Sequence, residues 1–255
     1  MDAFEDWIEH GSARRVGQTE TEPYVMRFLC ADDLDEVFEL HQRILAGLSH
    51  PHLFRPDSRP FMARHIGDRG RTVGISCAGA LVAYAAISFP GDDDDNLGRD
   101  LPVPPNELHN VGNYEGSAVH PDYRGNRFQK LMTDVRHAFA LAHDRYHILG
   151  TVSPMNPVSL ANFLGVGCRV KNIKTKYDGM VRLIIHRDLR EDAPPRLSPA
   201  TFIDIPLSAM ETQARLLHVG FQGFRVVLGD AEPCLRLGLP DETGVGAGTA
   251  AQAIL

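Results

Sequence analysis

The change of period inside residues 113–132 constrains this chain more than any other stretch. Glu115, Ser117 and Val119 alternate with Tyr114, Gly116 and Ala118, the two-residue repeat of a strand. Pro121 has no N–H to give to a ladder and stops it. From Phe128 onward the repeat becomes helical: Phe128, Leu131, Met132, Val135, Phe139 and Ala142 fall on one face. A strand that passes through a tight turn into a helix leaves the first amides of that helix without partners. Those amides and the helix dipole together suit an anion, most often a phosphate.

The rest of the chain limits the alternatives. Of the 255 residues, 43% are hydrophobic and 23% charged, enough for one core plus an appendage. The formal net charge of −7 argues against a nucleic-acid-coating surface, which is normally basic. No apolar run reaches the ~20 residues that span a bilayer, and residues 1–17 lack a basic-then-apolar leader layout. A cytoplasmic protein with no nucleic-acid or membrane partner is expected. Cys30, Cys77, Cys168 and Cys234 are isolated and read as buried free thiols of a reducing compartment. Twelve histidines include one tight cluster, His50-Pro51-His52, without carboxylate or cysteine at ligand spacing, so no metal is expected.

Residues 1–22 are polar and aperiodic, apart from one helical turn expected around Phe4, Trp7 and Ile8, and read as an N-terminal extension. A strand at 24–29 precedes a helix capped by Asp32 or Asp33 and ended by Gly47. The loop over 48–59 leads to a short helix at 61–66. Strands at 72–77 and 81–89 flank an Ala78-Gly79 turn. The acidic run Asp92–Asp95 and the prolines after it read as a long surface loop. A strand at 146–152 is followed by a helix that Asn156 caps, with Pro157 in its first turn. A hairpin turns at Tyr177-Asp178-Gly179, and residues 23–189 make one domain. A proline-rich linker at 190–199 leads to a small α/β extension at 200–240, too small to fold alone, which packs on the main domain or on a partner subunit. That arrangement admits a homodimer. Residues 241–255, rich in Gly and Ala, read as a flexible tail.

The turn itself, Val119-His120-Pro121-Asp122-Tyr123-Arg124-Gly125-Asn126, resembles the coenzyme A pyrophosphate loop of the GNAT superfamily, the acyl-CoA-dependent N-acetyltransferases. The family pattern is Arg/Gln-x-x-Gly-x-Gly/Ala. Here Arg124-Gly125-Asn126-Arg127-Phe128-Gln129 keeps the first Arg and replaces both later glycines. Asn156, Ser159, Phe163 and Gly167-Cys168 resemble the family's later Asn…Ser…Tyr-x-x-x-Gly-Phe segment, in the same order and at its separation. The resemblance implies an α/β (α+β) fold with a mixed, mostly antiparallel central sheet flanked by helices, and acetyl-CoA as co-substrate.

It also implies roles. Arg124, Gly125, Asn126, Arg127, Phe128 and Gln129 would hold the pyrophosphate, with Arg127 either adding a charged contact or crowding the site. Ser117, Ala118 and Val119 would carry the pantetheine along a strand splayed from its parallel neighbour, one of their amides serving as oxyanion donor. Asn156 and Ser159 would touch the arm from the other side. Phe163 stands where the family has its general-acid tyrosine and has no hydroxyl; Tyr123, Ser153 and Ser159 are nearby in sequence. The acceptor side would be the 48–59 loop, with Arg55, Asp57 and Arg59. Glu115, sharing a strand face with Ser117 and Val119, is the candidate general base. The expected activity is acetyl transfer from acetyl-CoA to a primary amine of a small molecule, by direct attack in a ternary complex. The alternatives are a non-catalytic acyl-CoA-binding regulatory or scaffold domain, and a protein or peptide N-acetyltransferase.

Overall fold

The computed structural model describes residues 4, 7–50, 53–67, 69–228 and 232–241. In chain order the elements are β1 (Ile8–Arg14), β2 (Thr21–Phe28), α1 (Leu34–Ala46), α2 (Arg59–Ile66), β3 (Gly70–Cys77), β4 (Ala80–Ser88), β5 (Val111–Val119), α3 (Phe128–Ala142), β6 (His147–Val152), α4 (Pro157–Gly165), β7 (Arg169–Lys176), β8 (Met180–Asp188), β9 (Ile203–Pro206), α5 (Met210–His218), β10 (Gln222–Leu228) and β11 (Pro233–Gly238). The strands form one eleven-stranded sheet in the order β1-β2-β3-β4-β5-β6-β8-β7-β10-β11-β9. Every pair is antiparallel except β5 with β6. No helix among the described residues is long and apolar enough to cross a membrane.

Helices lie on both faces. α1 and α2 put Val37, Leu40, Ile44, Met62 and Ile66 against Tyr84 and Ala118. On the opposite face α3 packs Phe128, Met132 and Val135 against Val73, Ile75, Ala83 and Ala85. α4 joins α3 on that face, where Leu160, Phe163 and Leu164 meet Phe139, Ala140 and Tyr114. The helical stripe in the sequence and the strand alternation therefore meet along a common seam, as burial of both apolar faces requires.

Two segments differ from the sequence reading, and the C-terminal extension packs on the main domain. Residues 8–14 lie in what reads as an aperiodic extension, yet they form the edge strand β1, paired from Ile8↔Arg27 to Arg14↔Thr21. The inward positions of β1 are Glu9, Gly11 and Ala13, so no hydrophobic alternation exists to be seen. Gly11 is needed there: a Cβ would lie 2.4 Å from the Tyr24 ring. Residues 89–110, read as a surface loop, include two 3-10 turns, and Leu97 is buried in a cluster with Val111, Leu149 and Ile184. In the acidic run, Asp93 is ion-paired with Arg69. The C-terminal strands β10, β11 and β9 continue the same sheet through the pair Gly223↔Val170. Ile205, Leu217, Leu235 and Leu237 share one core cluster with Phe163, Val170 and Leu183. Of the expected tail, residues 242–255 lie outside the described residues. All four cysteines are free, and Cys30 is exposed rather than buried.

Candidate active site

The site begins where the parallel pair parts. β5 and β6 bond at Val111↔His147, Gly112↔Ile148 and Asn113↔Leu149. Beyond that point β5 runs on to Val119 and β6 to Val152 with no further pairing between them. Backbone groups along the two facing edges lose their ladder partners there and face an opening instead. The opening is a cleft of about 760 Å3 that passes between the strands. Residues 114–119 and 150–153 form its walls, residues 124–125 and 127–130 one end, and Leu48, Leu53, Phe54, Arg55 and Asp57 the other.

The bend after β5 is built as a donor surface. A 3-10 turn at Pro121–Tyr123 is followed by Gly125 at φ 88° and Arg127 at φ 61°, both left-handed. Glycine adopts that conformation freely; for Arg127 it has a strain cost that the surrounding bonds must offset. Among the described residues, the amides of residues 125–130 donate to no acceptor, and the first backbone bond of α3 is Leu131 N–H to Arg127 O. Arg127 is exposed and lines the cleft at this end. Gln129 accepts from Asn162 Nδ2 (2.7 Å), tying the start of α3 to α4. Asn156 caps α4 by accepting from Ser159 N–H (3.0 Å), and Asn156, Ser159 and Phe163 all line the cleft.

One expected contact goes elsewhere. The Asn126 side chain does not line the cleft. It accepts from Arg14 N–H (2.9 Å) and donates to the carbonyls of Arg14 (2.8 Å) and Tyr123 (2.8 Å), so it fastens the bend to β1. Since β1 was invisible to sequence patterning, this tie was too. Asn126→Ala should lower the melting temperature by roughly 2–8 °C, from about 1–2 kcal/mol of lost hydrogen bonding at a partly exposed site. Scanning calorimetry reads this directly, and an unchanged melting temperature would show the tie to be dispensable.

A second correction concerns Glu115. The β4–β5 register runs Ala83↔Val119, Tyr84↔Ala118, Ala85↔Ser117 and then Ile87↔Tyr114, so Glu115 and Gly116 together oppose Ala86. This is a β-bulge, and it reverses the alternation. Ser117 and Val119 face α3. Glu115 faces α1 and α2, where Ser88 Oγ donates to its carboxylate (2.6 Å). The Ala86 carbonyl opposite the bulge instead accepts from buried Arg136 (3.0 Å), whose guanidinium also lies over the Tyr114 ring. The bulge thus sets Glu115 on the sheet face opposite the amide-lined bend, with the cleft between.

Around Glu115 the field is mixed. Burial pushes its carboxyl up to about 8, reinforced by Asp57 and Asp95 and opposed by the Ser88 hydrogen bond and Arg55. Burial likewise raises Asp57 to about 6, against the pull of Arg55. Asp57 lies beside the bulge; a Cβ on Gly116 would come within 2.4 Å of its Oδ2. Its N–H donates to His41 Nε2 (3.1 Å), which makes His41 Nδ1 the donor to Tyr84 Oη (2.6 Å). Burial holds His41 down to about 4, so it is neutral and pins the 53–57 loop to the sheet. Arg59 pairs with Asp35 on the surface and does not line the cleft.

Sequence reading missed Tyr177 and Arg182, which the β7–β8 hairpin brings to the cleft. Tyr177 Oη lies 3.3 Å from Thr151 Oγ1. An aromatic residue inside an Asp-Gly turn was the only signal for it. Tyr123, Ser153 and Ser159 all line the cleft, and the Tyr123 hydroxyl is committed to Glu22 (2.8 Å). Among the described residues no three of His, Cys, Asp and Glu gather as metal ligands.

A mixed sheet with a single parting parallel pair, followed by an amide-lined bend and a helix, is the GNAT fold, and this chain has it. Among solved structures it is similar to an acetyltransferase of the GNAT family from Streptococcus pneumoniae, at 11% identity and TM-score 0.50, over 65% of this chain and 99% of that one. It is also similar to yncA of Salmonella typhimurium, solved with its cofactor acetyl-CoA, at 14% identity and TM-score 0.50, over 68% of this chain and 98% of that one. No family model and no curated protein matches the sequence.

Proposed function

We propose that this protein transfers an acetyl group from acetyl-CoA to a primary amine of a small molecule, within a ternary complex. The observation that carries the proposal is the passage through the sheet: a cleft with unpartnered amides at one end and Glu115 facing the other side. Two substrates can enter from opposite faces and meet at the slot between β5 and β6.

The residues divide the work accordingly. The amides of residues 125–130, with Arg124 and Arg127, suit a diphosphate, through backbone donors backed by a helix dipole and guanidinium charge. The unpaired edge of β5 over residues 117–119 suits the amide-bearing pantetheine arm, with Asn156 and Ser159 across from it. An edge N–H of β5 can donate to the thioester oxygen as it becomes an oxyanion. The acceptor enters beside Asp57 and Arg55. Glu115 takes one proton from the ammonium, directly or through a water, so that nitrogen can attack the carbonyl carbon. The carbon–sulfur bond breaks, and the departing thiolate takes the second amine proton. A thiol of pKa about 8.5 leaves without strong acid help, which makes the absence of a hydroxyl on Phe163 tolerable.

Release of free thiol from acetyl-CoA over a broad panel of amines tests the proposal, with native mass spectrometry reporting any co-purified acyl-CoA. Turnover on at least one acceptor is expected. Tight acetyl-CoA binding with no thiol release on any acceptor would instead favour a binding domain without chemistry, the reading that Phe163 supports.

A further inference from the structure

We infer that the acceptor bears an anionic group, a carboxylate, beside its amine, and that Arg55 receives it; the site is built for an amino-acid-like molecule rather than a plain amine. This rests on the acetyl-transfer reading only for which end of the cleft is the acceptor's.

Arg55 is held in place yet has donors to spare. Its guanidinium lies over the Tyr177 ring at 4.2 Å and near the Phe61 ring at 5.1 Å, and Tyr177 is itself positioned against Thr151. Stacking between two rings removes most of the rotamer freedom that a long side chain would otherwise lose on binding. Among the described residues, Arg55 makes no ion pair with a carboxylate, although Asp57 and Glu115 are both within electrostatic reach. A planar, pre-oriented guanidinium with uncommitted N–H groups is suited to a bidentate carboxylate. The diphosphate is not its partner, because the amide-lined bend is on the other face of the sheet.

The neighbours sharpen the selection. Buried Arg182 also lines this end of the cleft and adds a second positive charge near Arg55. Glu115, with its carboxyl raised, is mostly protonated at neutral pH, so Asp57 is the main negative charge close to Arg55. An amine carrying its own carboxylate places a counter-charge against Arg55, which a plain amine leaves without one. The ammonium then points toward Glu115 and Asp57, and the carboxylate toward Arg55.

The test is calorimetric titration of the full chain with matched pairs: each common amino acid and the amine lacking its carboxyl group, such as phenylalanine with phenethylamine and lysine with cadaverine. Phosphoethanolamine with ethanolamine serves as the phosphate arm. In at least one carboxylate pair the acid should bind roughly tenfold tighter or more. Arg55→Ala should bring the two members within about twofold, and Arg55→Lys should give an intermediate preference. Equal binding within every pair, no binding by any member, a preference confined to the phosphate arm, or a preference that survives Arg55→Ala overturns the inference. Thiol release on the same compounds separates the two ideas. Release without carboxylate preference removes this inference and leaves acetyl transfer standing; carboxylate preference without release does the reverse.

Discussion

Glu115→Gln should lower kcat for acetyl transfer by about 10²- to 10⁴-fold while leaving acetyl-CoA binding within about twofold. The substitution keeps the shape and a hydrogen-bond acceptor for Ser88 but removes the proton-accepting charge. Because burial raises the Glu115 carboxyl to about 8, only a minority is ionised at neutral pH. A base works in its ionised form, so kcat/KM should rise with pH through about 8 and level off above it. That limb should vanish in Glu115→Gln, leaving only deprotonation of the acceptor, near about 10 for an alkylamine. Asp57→Asn removes a neighbouring negative charge and should move the limb to lower pH. A full-rate Glu115→Gln enzyme, or a limb that stays near 8 in it, would assign the proton transfer to another group.

The largest stability effect is expected at α4. Leu160→Ala should cost about 3 kcal/mol or more and lower the melting temperature by roughly 6–12 °C. Leu160 is fully buried beneath a helix of nine residues, a length at which isolated helices do not persist in water. What keeps α4 helical is the Asn156 cap and the burial of Leu160, Phe163 and Leu164 against α3 and the sheet. Because α4 also presents Asn156 and Ser159 to the cleft, acetyl-CoA binding should weaken along with stability. Val158→Ala, on the exposed side of the same helix at 72% exposure, should change stability by no more than about 0.5 kcal/mol. Thermal unfolding of both variants checks this. Similar shifts in the two would mean that α4 is not held by its buried face.

Much of this architecture could be read along the chain. The period change at Phe128, the Gly47 stop, the Asn156-Pro157 start and the Ala78-Gly79 and Asp178-Gly179 turns all appear where expected. Each is a local device, in which a few neighbouring residues set their own backbone angles or bury one stripe. The position of the bend followed from such signals, and the GNAT fold from the family resemblance of residues 119–129 and 156–168.

What escaped the sequence depends on distant pairings. β1 carries no apolar repeat: its inward residues are Glu9, Gly11 and Ala13, and Gly11 fits against Tyr24 because it has no side chain. The face on which Glu115 lies turned on one extra residue in β5, and a bulge is set by how β4 and β5 align, not by the composition of either. Arg55 and Tyr177 are far apart in the chain, and stacking between them follows only once the β7–β8 hairpin folds over the cleft. Local propensities thus laid out the strands, helices and turns of this protein. Strand register and long-range packing determined which side chains share the slot, because those interactions are won by whole surfaces meeting and have no counterpart in a short window of sequence.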